Sequence, residues 1–377
     1  MSASVLELNS DNAVDYHYNQ FPPTNLDYQQ LVEPLSGAVN AIARFDQMLT
    51  ILKNSDILLA PLRNQEAVIS SRMEGTISTM DEILRYEADN EDKDLGNTSA
   101  RSEVIETLLY QRALRSAEHA MREGAPLTQH MIRSMHQVLL SWGRGARKSP
   151  GKYKNEQNYI VGKTRDVLFT PIDPQNLAQS MDNLLAYINT DNSQILIKTA
   201  IAHLEFEALH PFKDGNGRVG RMLITLMLWN SNVISAPHFY ISGYLEEHKE
   251  TYTHLMREVS RTGNWTQWCV FFLNAMEAQA VRNLQIATAI SELYEEMKPV
   301  FSDVLASKYS INALDFIFAN PVFRNSRFNA QSGIPIATAR RFTPVLVGAG
   351  IIDVIDEAAG SRSAMYRFGR MMDLVRV

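Results

Sequence analysis

Cysteine is nearly absent from this chain. Cys269 stands alone, so no internal disulfide can form, and the usage fits a reducing compartment. A long apolar run is also missing. The strongest stretch, Met222 to Trp229, is too short to cross a bilayer. Positive charge is not in excess: the net charge of −6 argues against general binding to nucleic acid or anionic membranes, though a local basic patch remains compatible with it. The opening Met1-Ser2-Ala3-Ser4-Val5 lacks the basic-then-apolar layout of a signal peptide, so a cytoplasmic chain with no membrane partner is expected. No repeat period and no low-complexity tract is visible.

What remains is ordinary soluble globular composition over 377 residues, enough for two or three domains. Residues 1–30 are polar and carry Pro22-Pro23, which predicts an irregular arm. Apolar residues then recur at helical spacing from Leu31 to Leu52, and a second helix is predicted from Ile57 to about Glu74, stopped by Gly75. Further helices are expected over Thr76–Tyr86, Ser99–Glu123 and Leu127–Trp142. Asp89 to Asp94 reads as a solvated acidic loop, and Gly143 to Lys154 as a basic loop. Asn158–Val161 and Val167–Thr170 flank Gly162-Lys163-Thr164-Arg165-Asp166, a hairpin pattern that Pro171 and Pro174 close. Helices should follow over Asn176–Ile188, Gln194–Leu209, Gly217–Trp229, Glu246–Arg261 and Trp265–Phe301.

Composition changes after Ser302. Ile311–Phe318 and Ile336–Leu346 look helical, Arg324 to Ile334 carries turn residues, and Val354–Ile355 and Ala364–Phe368 bracket a turn at Ala359-Gly360-Ser361. Helix, helix, hairpin is the order of a winged helix-turn-helix. Pro344 is expected to kink or shorten the second helix. The divisions expected are 1–98, a helical region; 99–301, a core with a long following helix; and 302–377, the winged-helix-like module. The fold class is mainly α, a helical bundle with a β-hairpin flap.

Chemistry concentrates in His210-Pro211-Phe212-Lys213-Asp214-Gly215-Asn216-Gly217-Arg218-Val219-Gly220-Arg221. An imidazole exchanges protons near neutral pH, a carboxylate suits Mg²⁺, glycines let amides approach an anion, and arginine grips phosphate. Pro211 should end the preceding helix, and a new helix near Gly217 offers free N–H groups and a favourable dipole. Arg218 and Arg221, three apart, can meet successive phosphates. Other readings are weaker. Gly215-Asn216-Gly217-Arg218-Val219-Gly220 matches G-x-G-x-x-G, but a helix precedes it where a dinucleotide fold needs a strand. His203, Glu207 and His210 share a helix face, yet their spacing is not a usual zinc pattern. A plain helix–loop–helix joint would not need so many ionic and flexible residues in one turn.

The twelve-residue stretch resembles the Fic family signature, with every defining position filled. The resemblance implies an α-helical fold and transfer of AMP from ATP to a hydroxyl of a target protein, or of the chain itself. It makes His210 the general base and Asp214 the Mg²⁺ ligand. Gly215, Asn216 and Gly217 would cradle the α- and β-phosphates. Arg218 would contact the phosphate chain, Arg221 would grip the γ-phosphate, and Val219 and Gly220 would lie along the nucleotide. Relatives that transfer phosphate carry lysine where Gly217 stands, so the glycine favours nucleotidyl transfer; GTP or UTP as donor stays open. The hairpin resembles the family's flap, where a target segment adds as a strand and Ile160, Val161 and Gly162 border the nucleotide. Tyr244 and Tyr252 are candidates to wall the adenine.

Ser70-Ser71-Arg72-Met73-Glu74-Gly75 resembles the family's inhibitory motif. It implies that Ser70, Glu74 and Gly75 form a brake in which Glu74 pairs with Arg221 and misaligns ATP. For 302–377, Arg324, Arg327, Arg340 and Arg341 supply local positive charge. Protein docking is the favoured reading of that module, given the acidic chain, over DNA. The expectation is an autoinhibited protein adenylyltransferase using ATP and Mg²⁺, with AMP removal and homodimer formation open. A nucleotide-sensing, DNA-binding transcriptional regulator is the alternative.

Overall fold

The computed structural model describes residues 13–51, 60–89, 101–162, 164–360 and 362–375. The expected start of a helix at Ile57, the acidic stretch beyond Asp89, Lys163 and Ser361 lie outside these. The chain is mainly helical, with two three-stranded sheets. It divides into two compact units.

The first unit comprises the described residues of Met1–Ala43, Arg112–Pro237 and Ile241–Ala280. Its helices include α5 (Gln129–Leu139), α6 (Pro174–Thr190), α7 (Ile195–Leu209), α8 (Asn216–Asn230), α9 (Ser242–Glu247) and α10 (Lys249–Thr262). The centre is α7 packed on α8. Both are buried on nearly every side, as expected of helices apolar all round. Trp268 and Phe272, on the long helix α11 (Trp265–Leu305), are fully buried in the same unit. Local chemistry sets the helix starts: the Thr128 hydroxyl accepts from Met131 N–H ahead of α5, and the Asp173 carboxylate accepts from Gln175 N–H ahead of α6. Pro174, expected to close the hairpin, instead opens α6 at a position where its missing N–H costs nothing.

The arm is not wholly irregular. Val14–Asp15 forms β1, parallel to β3 (Val167–Thr170), which pairs antiparallel with β2 (Ile160–Val161). The sheet order is β1-β3-β2, so β2 is an edge. Just past β1, Tyr16 donates to Glu205 Oε1 at 2.6 Å, and His17 Nε2 lies 2.9 Å from Glu205 Oε2. The other ring nitrogen of His17 lies 2.7 Å from Ser260 Oγ. These contacts fasten the arm to α7 and α10.

The second unit comprises the described residues of Arg44–Gln111, His238–Tyr240 and Val281–Val377. It includes α2 (Ala60–Met73), α3 (Met80–Asp89), α12 (Ser310–Ala319), α13 (Asn325–Gln331), α14 (Ile336–Gly348) and α15 (Gly369–Val375). The helices α1 (Tyr28–Ile51) and α4 (Ser102–Arg122) each contribute residues to both units. Leu84 on α3, Phe301 on α11, Ile317 on α12 and Phe342 on α14 join one core. Two polar residues buried on α2 are paired across to α4: Tyr110 donates to Glu66 at 2.9 Å, and Gln111 to Asn64 at 2.7 Å. The helix expected at Thr76 starts instead at Met80. Thr79 and Glu82 exchange bonds as a capping box, and Thr76 and Ser78 are held by Glu106 and Thr107.

Two expectations for the last segment need correction. The stretch expected as turns, Arg324 to Ile334, holds the last residue of β4 (Val322–Arg324) and all of α13, and Pro344 does not shorten α14, which runs on to Gly348. Its ring is exposed, so only one backbone bond is forfeited on the outer face. Beyond α14, β5 (Asp353–Asp356) and β6 (Met365–Arg367) form an antiparallel sheet in the order β4-β6-β5. Arg324 spans this unit, with Nε on Asp89 at 2.6 Å and Nη2 on Asp356 at 2.7 Å.

Candidate active site

Helix α7 ends at Leu209, as Pro211 requires, and His210 takes a left-handed backbone with φ 46°. A side chain seldom adopts this region, so the surroundings must hold it there. The half-buried His210 ring has Nδ1 3.3 Å from the Glu207 carbonyl. A carbonyl only accepts, so Nδ1 carries hydrogen and Nε2 is the basic nitrogen.

The turn that follows is built from its own polar groups. Asn216 accepts from Phe212 N–H and donates to the Phe212 carbonyl, both at 2.8 Å. Asp214 Oδ1 accepts from Gly215 N–H at 2.6 Å and lies 3.5 Å from Arg218 Nη2. Gly215 caps α8 with φ 80°, a backbone that glycine takes without strain. The helix therefore begins at Asn216, with its first amides and positive dipole end at the turn. Arg218 and Arg221 are buried in α8, with 1 % and 3 % exposure. Val219 is fully buried, and Gly220 packs closely on α7. A Cβ on Gly220 would fall 2.5 Å from Glu207 Oε1.

His203 belongs to the core. Nδ1 donates to the Gly220 carbonyl at 3.3 Å, and Nε2 accepts from the Tyr252 hydroxyl at 2.8 Å. Burial, reinforced by Arg221, pushes this imidazole down to about 3, so it stays neutral. With Nδ1 on the Gly220 carbonyl and Nε2 on the Tyr252 hydroxyl, neither ring nitrogen is left to ligate zinc, and no cluster of three or more metal-binding side chains occurs among the described residues. Within the stretch His210–Arg221, Asp214 supplies the carboxylate. One carboxylate completed by phosphate oxygens is a set that suits Mg²⁺, and a turn beside two arginines suits those phosphates.

Ile160 and Val161 lie on the outer edge of β2, both more than a third exposed, and Gly162 N–H donates to the Asp166 carbonyl at 2.9 Å to close the hairpin. Tyr244 is half-buried and stacks on His248, with centroids 4.0 Å apart. Tyr252 is 3 % exposed and packs against Trp268 and His203. In the second unit, Ser70 is buried within α2, and Gly75 ends that helix with φ 83°. Glu74 is exposed on the closing turn.

Sequence reasoning misses His136, Lys154 and Asn158. Gly151 N–H donates to His136 Nδ1 at 2.8 Å, so His136 Nε2 carries hydrogen and donates to the Asp214 carbonyl at 2.9 Å. Lys154 and Asn158 hold the carbonyls on either side of His210. The basic loop is visible as composition, but nothing in it marks these contacts.

The family description Fic/DOC matches residues 126–228, and the description of that family's N-terminal region matches residues 32–119. This chain belongs to the Fic/DOC family. Protein adenylyltransferase fic-1 of Caenorhabditis briggsae is 32% identical over 103 residues, which are 26% of this Fic/DOC chain and 19% of that protein. The chain thus spans about a fifth of the length of this curated relative. Among solved structures, a Fic domain containing signaling protein from Bacteroides thetaiotaomicron superposes with a TM-score of 0.54 at 20% identity, covering 68% of this chain and 97% of that one. A Fic family protein from Desulfovibrio desulfuricans gives 0.52 at 18%, covering 88% and 95%. These likenesses establish the fold. No helix among the described residues is long and apolar enough to cross a membrane.

Proposed function

We propose that this Fic/DOC chain is an autoinhibited protein adenylyltransferase, moving AMP from ATP to a Ser, Thr or Tyr hydroxyl of a protein or of itself. The observation that carries the reading is the juxtaposition of a basic His210 nitrogen with the amide-rich start of α8. In the proposed reaction, the target hydroxyl oxygen attacks the α-phosphorus while His210 Nε2 takes its proton. The bond from the α-phosphorus to the bridging oxygen breaks, and pyrophosphate leaves with that oxygen. General base action is typically worth ~10²–10⁴-fold. Amides at Gly215–Gly217 and the two arginines would bind the phosphates and stabilise charge as it moves. Asp214 would hold Mg²⁺, which neutralises phosphate charge when bound.

A target segment would add to the open edge of β2, since β1 covers the other side of β3. Tyr244, being half-buried, suits the adenine better than Tyr252. The brake is assigned to Ser70–Gly75, with the Glu74 carboxylate competing for the cation that grips the γ-phosphate. Residues 1–98 would carry that brake, 99–301 the transfer chemistry and 302–377 a docking module. The order α12, β4, α13, α14, β5, β6 supports a winged-helix reading of that module. Exposed Arg340 and Arg341 favour an anionic partner, but Asp353 and Glu357 are also exposed and Arg324 is neutralised by Asp89 and Asp356. Protein docking is therefore favoured over DNA. A gel shift weakening steeply with salt would reverse that preference.

The deciding experiment is incubation with Mg²⁺ and ATP labelled at either the α- or the γ-phosphate. Label from the α position should enter protein, and His210→Ala should abolish it while ATP still binds. Label from the γ position, or full transfer by His210→Ala, would overturn the reading.

A further inference from the structure

Four consecutive carbonyls run through the turn at His210, and Lys154, with its side chain and its backbone N–H, and the Asn158 side chain together donate to all of them. The ammonium of Lys154 donates to the Leu209 carbonyl at 3.1 Å. The amide nitrogen of Asn158 donates to the His210 carbonyl at 3.1 Å and to that of Phe212 at 3.0 Å. The backbone N–H of Lys154 donates to the Pro211 carbonyl at 2.8 Å. The two side chains also orient each other, since Lys154 Nζ donates to Asn158 Oδ1 at 2.7 Å. That bond fixes which end of the Asn158 amide faces the turn.

We propose that Lys154, acting with Asn158, is a positioning pair that holds His210 in its left-handed backbone and so aims the imidazole. Its effect on catalysis rests on the transfer reading above; its effect on the His210 ring does not. The carbonyls at the end of a helix have no intrahelical partner, and a cation there also meets the negative end of the dipole. A non-glycine residue in the left-handed region crowds its Cβ against the following carbonyl, so His210 would relax without such a grip. Lys154 is 4 % exposed, and stripping its ammonium of water pushes it down to about 7, against the pull of Asp173. With so little water, its orientation depends on the two protein acceptors. The phosphate turn is held by other bonds, those of Asn216 to Phe212 and of His136 to Asp214. Lys154 therefore acts on the direction of the base, separately from the anion cradle.

The test uses the full-length chain, with and without Glu74→Gly. Lys154→Met should lower kcat about 10–100-fold, since a misplacement of about 1 Å costs on the order of 10²-fold. KM for ATP should stay within about twofold. Lys154→Arg, which keeps charge and donors, should restore most of the rate. Proton NMR supplies a readout free of activity: the His210 ring resonance and its titration should move in Lys154→Met and return in Lys154→Arg. Asn158→Asp, which puts an acceptor against two carbonyls, gives the same comparison should Lys154→Met not fold. Unchanged kcat with an unchanged His210 resonance would overturn the proposal. So would a parallel fall of kcat, ATP affinity and Tm with the ring resonance unmoved, which is the mark of general loosening. If the parent chain transfers no AMP, the transfer reading fails, and the resonance comparison still decides the role of Lys154.

Discussion

The imidazole of His136 lies flat on the ring of Phe212, with centroids 3.7 Å apart and planes 7° from parallel. Its two nitrogens bridge Gly151 and Asp214, so one neutral ring pins the basic loop to the phosphate turn. Burial pushes His136 down to about 4, with Arg218 adding to the shift and Asp214 opposing it.

A pH dependence follows from that neutrality. In the unfolded chain an imidazole takes its proton near pH 6.5; in the fold, His136 takes it near 4 and His203 near 3. Between these limits the unfolded chain binds more protons, so stability is full above pH 7 and falls as pH drops. For His136 the loss reaches about 3 kcal/mol at the low end, at 1.36 kcal/mol per pH unit. Thermal unfolding should show Tm declining from pH 7 to 5.5, above the range where most carboxylates titrate. His136→Asn should make the decline shallower. A Tm that is level across this window would contradict the neutral assignment.

Contact between α7 and α8 can be tested at Gly220. An alanine there would place Cβ 2.5 Å from Glu207 Oε1, 3.2 Å from Phe206 Cδ1 and 3.3 Å from His203 Cε1. The carboxylate can swing aside, but the two rings are buried and cannot. Overpacking of this kind costs roughly 1–3 kcal/mol. Gly348, at the end of α14, is the control: a Cβ there would meet nothing within 4 Å, so Gly348→Ala should be neutral or slightly stabilising. Equal Tm values for the two variants would mean that α7 and α8 are not closely packed at Gly220.

The parts legible in the sequence are those whose cause is local. Pro211 ends α7, Gly75 ends α2 and the apolar run after Gly217 is α8, because prolines, glycines and helical periodicity act over a few residues. Long-range partners are not legible. Two residues of β1 carry no period, and their partner β3 lies some 150 positions away. Residues 325–331 have the composition of a turn, yet Phe328 is buried in the second unit's core and holds them as a helix. Lys154 and His136 look like surface charge and a spare histidine; only the folded chain brings them to the carbonyls at Leu209 and Asp214.

The arm should report on Glu205. Its carboxylate is fully buried and receives Tyr16 on one oxygen and His17 on the other. Glu205→Ala strands both groups without water, and breaking such a buried network is costly by about 3–5 kcal/mol. His17→Ala should also destabilise, and the double variant should lose much less than the two single losses added together. Urea unfolding of the four chains measures this coupling. Strict additivity would show that the arm is not held through this pair.

Glu74 offers the cleanest separation of regulation from folding. It sits on the turn that ends α2, is exposed, and carries negative charge at the helix end where the dipole disfavours it by roughly 0.3–1 kcal/mol. Tm measured beside activity therefore tells a change in folding from a release of the site. If its carboxylate restrains the γ-phosphate grip of Arg221, Glu74→Gly should raise self-modification from α-labelled ATP. A tenfold rise corresponds to about 1.4 kcal/mol of released restraint. Glu74→Gln, which keeps size and loses charge, should release only part of it if hydrogen bonding shares the work. Higher activity at constant Tm would assign the effect to the site. An unchanged rate at constant Tm would leave Ser70–Gly75 as an ordinary helix end.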